Sequence, residues 1–158
     1  MSDWKERSAA KLAARDAAIP QDYLVDLAAH GIEPCPFQKE ALPRPVDPEL
    51  PYKPDWKVTA EIYPSDSVID VPRKVLDIQD VAITETPIMK LLELLASSQL
   101  TSVRCTQAFL RRAILAHQLV NCCTEIFVDL ALKRAQECDD YLEKNKKPMG
   151  MFHGLPIR

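Results

Sequence analysis

Apolar residues recur at helical spacing in the second half of this chain. Between residues 87 and 99 they fall at positions i, i+3, i+4 and i+7, which places them on one face of an α-helix. The residues on this face are Ile88, Leu91, Leu92 and Leu95. Such a face needs an apolar partner, so the pattern predicts a packed helix.

Two longer helices are predicted to follow. Thr101 or Ser102 can cap the first, which runs to about Gln118, since hydroxyl side chains accept hydrogen bonds from exposed N–H groups at a helix start. Its apolar stripe contains Val103, Leu110 and Ile114, widened by Phe109, Ala113 and Ala116. The second starts at about Asp129, and its apolar face contains Ala131, Ala135, Cys138 and Leu142.

The N-terminal residues also predict helix. Asp3 and Glu6 have the spacing of a capping box, and an alanine-rich stretch continues to about Ala18 before Pro20 interrupts it. The next residues, QDYLVDLAAHG, predict a shorter helical piece that stops at Gly31, because glycine readily adopts the left-handed conformation that ends helices.

Proline dominates the stretch between these two helical regions. Eight of the thirteen prolines lie from Pro34 to Pro64, where missing N–H donors and a fixed φ prevent a long helix or a central strand. Four aromatic residues in the same stretch argue against a solvated linker: Phe37, Tyr52, Trp56 and Tyr63. The pattern predicts an extended arm laid over a larger surface, with a proline-rich ligand for a recognition domain as the alternative.

Two short stretches have strand character. Residues 122–128 are apolar and β-branched, although Thr124 could cap a helix instead, and GMFHGLPI at residues 150–157 reads as a strand entry. The chain is therefore expected to be mostly α-helical with one or two short strands. We divide it into N-terminal helices (residues 1–33), a proline-rich arm with a short helix (34–86), and a helical part that ends in a strand (87–158).

Composition excludes several classes of function. The chain has 158 residues and a formal net charge of −3, so it predicts one ordinary domain with no general attraction to nucleic acid. Its N-terminus is charged and no apolar run is long enough to cross a bilayer, which predicts a cytoplasmic protein without a membrane partner. The five cysteines form no CxxC pair and predict reduced thiols, with no metal site and no cofactor.

No residue is assigned to catalysis, to cofactor binding or to a metal. His153 is expected to have a structural role, while His30 and His117 are expected to cap helices or lie at the surface. The remaining polar candidates are interpreted as cap and turn serines, solvated lysines and unactivated thiols. These are Ser65, Ser67, Ser97, Ser98, Lys146, Lys147, Cys105 and Cys138.

Several motifs resemble the amidase signature family, and in particular its fungal acetamidase branch. They are LTSV (100–103), AFLRRA (108–113), AHQLVNC (116–122), TEIFVD (124–129) and FHGLPI (152–157). The earlier IDVPRK (69–74), ITET (83–86) and the opening WKERSAAKLAARDAAIP are also similar to that branch. The chain departs from the family pattern at Gln99, Met151 and Arg158.

The resemblance implies the N-terminal portion of an α/β amidase that hydrolyses small carboxamides with a Ser–cis-Ser–Lys triad. In the family, the HGLPI step leads to the catalytic lysine, which would lie just beyond Arg158, and both triad serines lie further on. The resemblance therefore predicts that this chain alone is inactive, loosely packed and prone to aggregate, and that its parent takes a small amide substrate and could form a homodimer. The alternative is a non-catalytic helical interaction module derived from an amidase.

Overall fold

α-Helices form the regular structure of residues 3–32 and 68–157, the parts of the chain that the computed structural model describes. The six helices there are α1 (Asp3–Ala17), α2 (Val71–Val75), α3 (Ile78–Glu85), α4 (Ile88–Ala96), α5 (Ser102–Val120) and α6 (Val128–Asn145). The predicted proline-rich arm, together with Ser65 and Ser67, lies outside the described residues. The helical character expected from the sequence is therefore confirmed for the described part.

The helix boundaries follow local signals in the sequence. Thr101 caps α5, where its hydroxyl accepts a hydrogen bond from the backbone N–H of Arg104 at 3.1 Å. Asn121 ends the same helix in the left-handed conformation. The piece predicted after Pro20 is two 3₁₀ turns instead of one helix, and Gly31 ends the second turn with φ 66°.

The predicted strands do not form in the described residues. Residues 122–127 are an irregular loop between α5 and α6, and residues 150–157 form turns and extended chain without strand pairing. An isolated apolar run becomes a strand only when a neighbouring strand satisfies its backbone groups. Thr124 is not a helix cap either, because α6 begins after Phe127.

The central helix is α5, which packs against α3 on one side and α6 on another. Around it lie three clusters of buried apolar residues. The first contains Ile19, Tyr23, Ile114 and Val128; the second contains Leu27, Val71, Leu115 and Leu119; the third contains Leu91, Leu95 and Cys105. The predicted face of α4 is thus buried at Leu91 and Leu95, whereas Ile88 is 56% exposed.

Two polar contacts fasten the N-terminal region to α5. The side-chain amide of Gln118 pairs with the backbone of Val25, accepting from its N–H at 3.1 Å and donating to its carbonyl at 3.0 Å. Arg15 donates to the side-chain oxygen of Asn121 and to the carbonyl of Cys123, each at 3.1 Å. The segment that follows α1 is therefore held at the C-terminal half of α5.

Candidate functional site

The start of α5 is held by a carboxylate from α6. Asp139 accepts from the backbone N–H groups of Ser102 at 2.7 Å and Val103 at 3.0 Å, using one oxygen for each. These N–H groups have no partner within their own helix, and a negative charge at a helix N-terminus is favourable. Asp139 therefore fixes the angle between α5 and α6 at this end of the molecule.

The C-terminal turn lies directly on this helix start. Gly154 has φ +68°, and a Cβ atom built there would lie 2.2 Å from the hydroxyl oxygen of Ser102 and 3.4 Å from Leu95. Only a residue without a side chain allows this approach. The contact sets where residues 155–157 leave the helical core.

His153 is held within the same turn. Its ring is buried, and Nδ1 accepts from the backbone N–H of Met149 at 3.2 Å. Within the described residues, neither His153 Nε2 nor the Ser102 hydroxyl has a hydrogen-bond partner. The observed contact of His153 is one that shapes a turn, and no nucleophile is bonded to its ring.

A buried carboxylate joins α3 to α5. Asp80 is 1% exposed and receives hydrogen bonds from Arg104 and from Arg111, the latter at 3.1 Å. Arg111 also lies over the ring of Tyr23, 5.2 Å from its centroid. Two guanidinium groups therefore compensate the charge of Asp80, and one of them reaches the N-terminal region.

A second ion cluster borders the first at the end of α3. Arg112 donates to the hydroxyl of Thr84 at 2.8 Å and lies 3.5 Å from the carboxylate of Glu85. Arg73 donates to both oxygens of Glu85, at 2.9 and 3.2 Å. This hydrogen-bonded pairing holds the pKa of Glu85 below its usual value.

The sequence predicts a capping or surface residue at His117, and the structure places it, buried, near the end of α5. Its Nδ1 accepts from the backbone N–H of Cys123 at 3.2 Å, just beyond the helix end. Burial lowers the pKa of His117, and the positive charge of Arg15 lowers it further. The exposed His30 lies at the surface as predicted.

The other candidates carry no activated group. Ser97 ends α4 and donates to the carbonyl of Leu94 at 3.2 Å, and Ser98 is a turn residue with φ 59°. Lys146 and Lys147 are exposed, as expected. Burial raises the pKa of the Cys105 thiol to about 11, so this thiol is protonated at neutral pH.

The described residues do not assemble a hydrolytic centre. None of their serine hydroxyls is hydrogen-bonded to a lysine or histidine base, the arrangement that activates an alcohol for attack. They contain no group of three or more potential metal ligands. In the same residues, no helix is both long and apolar enough to span a bilayer.

Comparison with known proteins assigns the class. Residues 104–158 match the family model described as Amidase. Over 105 residues the chain is 47% identical to an acetamidase of Emericella nidulans. The aligned region is 65% of this chain and 19% of that protein. Over 156 residues it is 30% identical to a putative amidase of Schizosaccharomyces pombe. This aligned region is 98% of this chain and 24% of that protein.

The fold gives the same assignment. The structure matches that of a fatty acid amide hydrolase with a TM-score of 0.69 and 28% identity, covering 96% of this chain and 22% of the other. These matches place the chain in the amidase signature family, in the fungal acetamidase-like branch. It spans about a fifth of the length of the acetamidase that it matches, which is consistent with an N-terminal portion.

Proposed function

We propose that this chain is the N-terminal portion of an amidase that hydrolyses the carbon–nitrogen bond of small carboxamides. The observation that carries the proposal is the structural match to an amide hydrolase over 96% of the chain. The family match at residues 104–158 supports it independently. The Ser–cis-Ser–Lys triad would come from residues outside these 158.

In such a triad the lysine acts as the base, the bridging serine relays the proton, and the second serine attacks the carbonyl carbon. Backbone N–H groups stabilise the oxyanion that forms. The described residues would position the chain that leads to the triad and would not take part in the reaction themselves. Asp139 fixes the start of α5, Gly154 seats the C-terminal turn on Ser102, and the chain leaves from this anchored turn.

Two of the relatives support a substrate class for this proposal. Two relatives that are 47% and 50% identical are named acetamidases, whereas the solved amide hydrolase named for fatty acid amides is 28% identical. We therefore propose a small amide such as acetamide as the substrate. The proposal also includes the division of the chain after residues 33 and 86. It further includes a cytoplasmic location and a parent protein that forms a homodimer.

A chimera tests the proposal. The 158-residue chain and a fusion of this chain to the remaining part of the Emericella nidulans acetamidase would be assayed for release of ammonia from acetamide. We expect activity from the fusion and none from the chain alone. A folded but inactive fusion would contradict the proposal, and so would serine-dependent hydrolysis by the chain alone.

The alternative is a helical interaction module without catalysis. The observation that favours it is the exposed apolar surface of α4, where Ile88 is 56% and Met89 is 69% exposed. Exposed apolar patches of this kind often mark contact surfaces. A monomeric chain with a sharp two-state thermal transition, together with an inactive fusion, would favour this module over the amidase.

A further inference from the structure

The loop between α5 and α6 presents two adjacent thiols. The sulfur atoms of Cys122 and Cys123 lie 3.8 Å apart. Cys122 is exposed and Cys123 is partly buried, and both are reduced. We propose that this pair is a vicinal dithiol site that binds a monosubstituted trivalent arsenical, a soft electrophile that needs two thiol ligands.

The backbone of the loop keeps the two sulfurs together. The N–H of Cys123 donates to Nδ1 of the buried His117 at 3.2 Å, and its carbonyl accepts from Arg15 at 3.1 Å. Cys123 is therefore held on both sides by residues from two different helices. A site that is organised before the ligand arrives loses less entropy on binding.

The sulfur spacing favours a bridging atom over a disulfide. Adjacent residues across a trans peptide have Cα atoms about 3.8 Å apart, which is less than the roughly 4.4 Å that an unstrained disulfide needs. One soft atom bonded to both thiolates instead holds the sulfurs apart, well beyond the S–S bond length of about 2.05 Å, and the sulfurs here are 3.8 Å apart. The observed spacing suits the second arrangement.

The number of ligands selects the class of electrophile. A structural zinc ion takes four protein ligands, and the described residues contain no group of three or more potential ligands. The arsenic of a monosubstituted trivalent arsenical forms three bonds, one to its organic group and two to thiolates, so two cysteines satisfy it. With phenylarsine oxide, two As–S bonds form, the two thiol protons leave with the oxygen as one water, and arsenic stays trivalent.

Phenylarsine oxide is also the probe for the test. One equivalent would be added to the reduced, desalted chain, and the intact mass would be measured before and after a challenge with excess glutathione. We expect one phenylarsenic group per chain that survives this monothiol but is removed by 2,3-dimercaptopropanol. Peptide mapping should place the adduct on a fragment that contains both cysteines.

Single substitutions separate the pair from the other thiols. Cys122→Ser and Cys123→Ser should each retain the adduct about 100-fold less well, because the second bond is no longer intramolecular. Cys35→Ser removes a thiol that has no neighbouring cysteine in the sequence and should behave like the unsubstituted chain, with far-UV circular dichroism used to verify folding. Equal retention in Cys122→Ser, or no adduct on the unsubstituted chain, would overturn the proposal.

Discussion

Asp139 caps a helix to which it does not belong, because it lies in α6 and accepts from the first N–H groups of α5. Replacing it by alanine removes both hydrogen bonds to the start of α5. We expect Asp139→Ala to lower the free energy of unfolding by about 1–2 kcal/mol, measured by urea denaturation. The neighbouring Asp140, which accepts from Gln136 on the exposed side of α6, provides the control. Asp140→Ala should change the free energy by less than about 0.5 kcal/mol, and an equal loss in both variants would contradict the capping role.

Alanine substitutions at Gly154 and Gly31 can separate the cost of a left-handed backbone from the cost of a steric clash with the added Cβ atom. Both have positive φ, at +68° and +66°, but only Gly154 has a neighbour within 4 Å of a built Cβ atom. Alanine at either position should cost about 1–2 kcal/mol for the left-handed backbone. Gly154→Ala should cost about 1–3 kcal/mol more because of the contact with Ser102. Thermal unfolding of the two variants measures the difference, and similar losses would show that the turn moves away from α5.

His117 should make the fold sensitive to mild acid. Its pKa is lowered in the folded chain by burial and by Arg15, so folding favours the neutral ring. The stability that this contributes is present above the ordinary histidine pKa of about 6.5 and is lost as the pH falls through the lower folded value. His117→Asn keeps an acceptor for the N–H of Cys123 and should flatten the unfolding profile in this range. His30→Asn, at an exposed site, should leave the profile unchanged; a flattening there would contradict the assignment to His117.

At the scale of elements, Asp80 determines how α3 sits on α5. The carboxylate is 1% exposed, whereas the side chains of Arg104 and Arg111 are 28% and 34% exposed. In Asp80→Ala the arginines regain part of their hydration, so we expect a loss of about 1.5–3 kcal/mol, the range for hydrogen bonds to charged groups. Denaturant unfolding measures this loss.

Asp70 is the control for that prediction. Its carboxylate lies 3.6 Å from Arg73 in an exposed ion pair, and such pairs contribute about 0–1 kcal/mol. Asp70→Ala should therefore be close to neutral. A larger loss in Asp70→Ala than in Asp80→Ala would mean that the buried carboxylate does not hold α3 in place.

Four of the six described helices, α1, α4, α5 and α6, could be predicted from sequence because their signals are local, whereas one short helix was expected where α2 and α3 lie. The stop at Gly31 and the cap at Thr101 involve residues within one helical turn. The cap from Asp139 acts across 37 residues, and no periodicity in the sequence marks such a partner. The prediction of strands at residues 122–128 and 150–157 was wrong because a strand depends on a pairing partner. In the described residues neither stretch has such a partner.

In the candidate site, the role of a residue depends on its packing environment, which residue type alone does not reveal. The sequence placed His117 near the end of a helix but did not show its burial, which comes from the packing of α5 against the N-terminal region. Asp80 was not singled out, although two arginines, Arg104 and Arg111, recur at a spacing of seven on the facing helix. That spacing places both side chains on one face of α5 and was the available signal.

At the scale of the whole molecule, uncovered apolar side chains should dominate the behaviour of the purified chain. Ile88 and Met89 are 56% and 69% exposed on α4, next to the buried Leu91. We expect the chain to bind a hydrophobic dye and to associate at high concentration. Ile88→Lys with Met89→Lys should reduce dye fluorescence while changing the free energy of unfolding by less than about 0.5 kcal/mol. Leu91→Lys should unfold the chain, and unchanged dye binding in the surface variant would locate the dye site elsewhere.

The pairing of Gln118 with Val25 also has a consequence during synthesis. The two residues are separated by 93 positions along the chain. A ribosome that adds about 5–20 residues per second needs roughly 5–20 s to cover that distance. During this interval the segment around Val25 has been made, but the helix that receives it has not. The N-terminal segment must therefore wait undocked on the nascent chain, where a chaperone or a protease can reach it before α5 does.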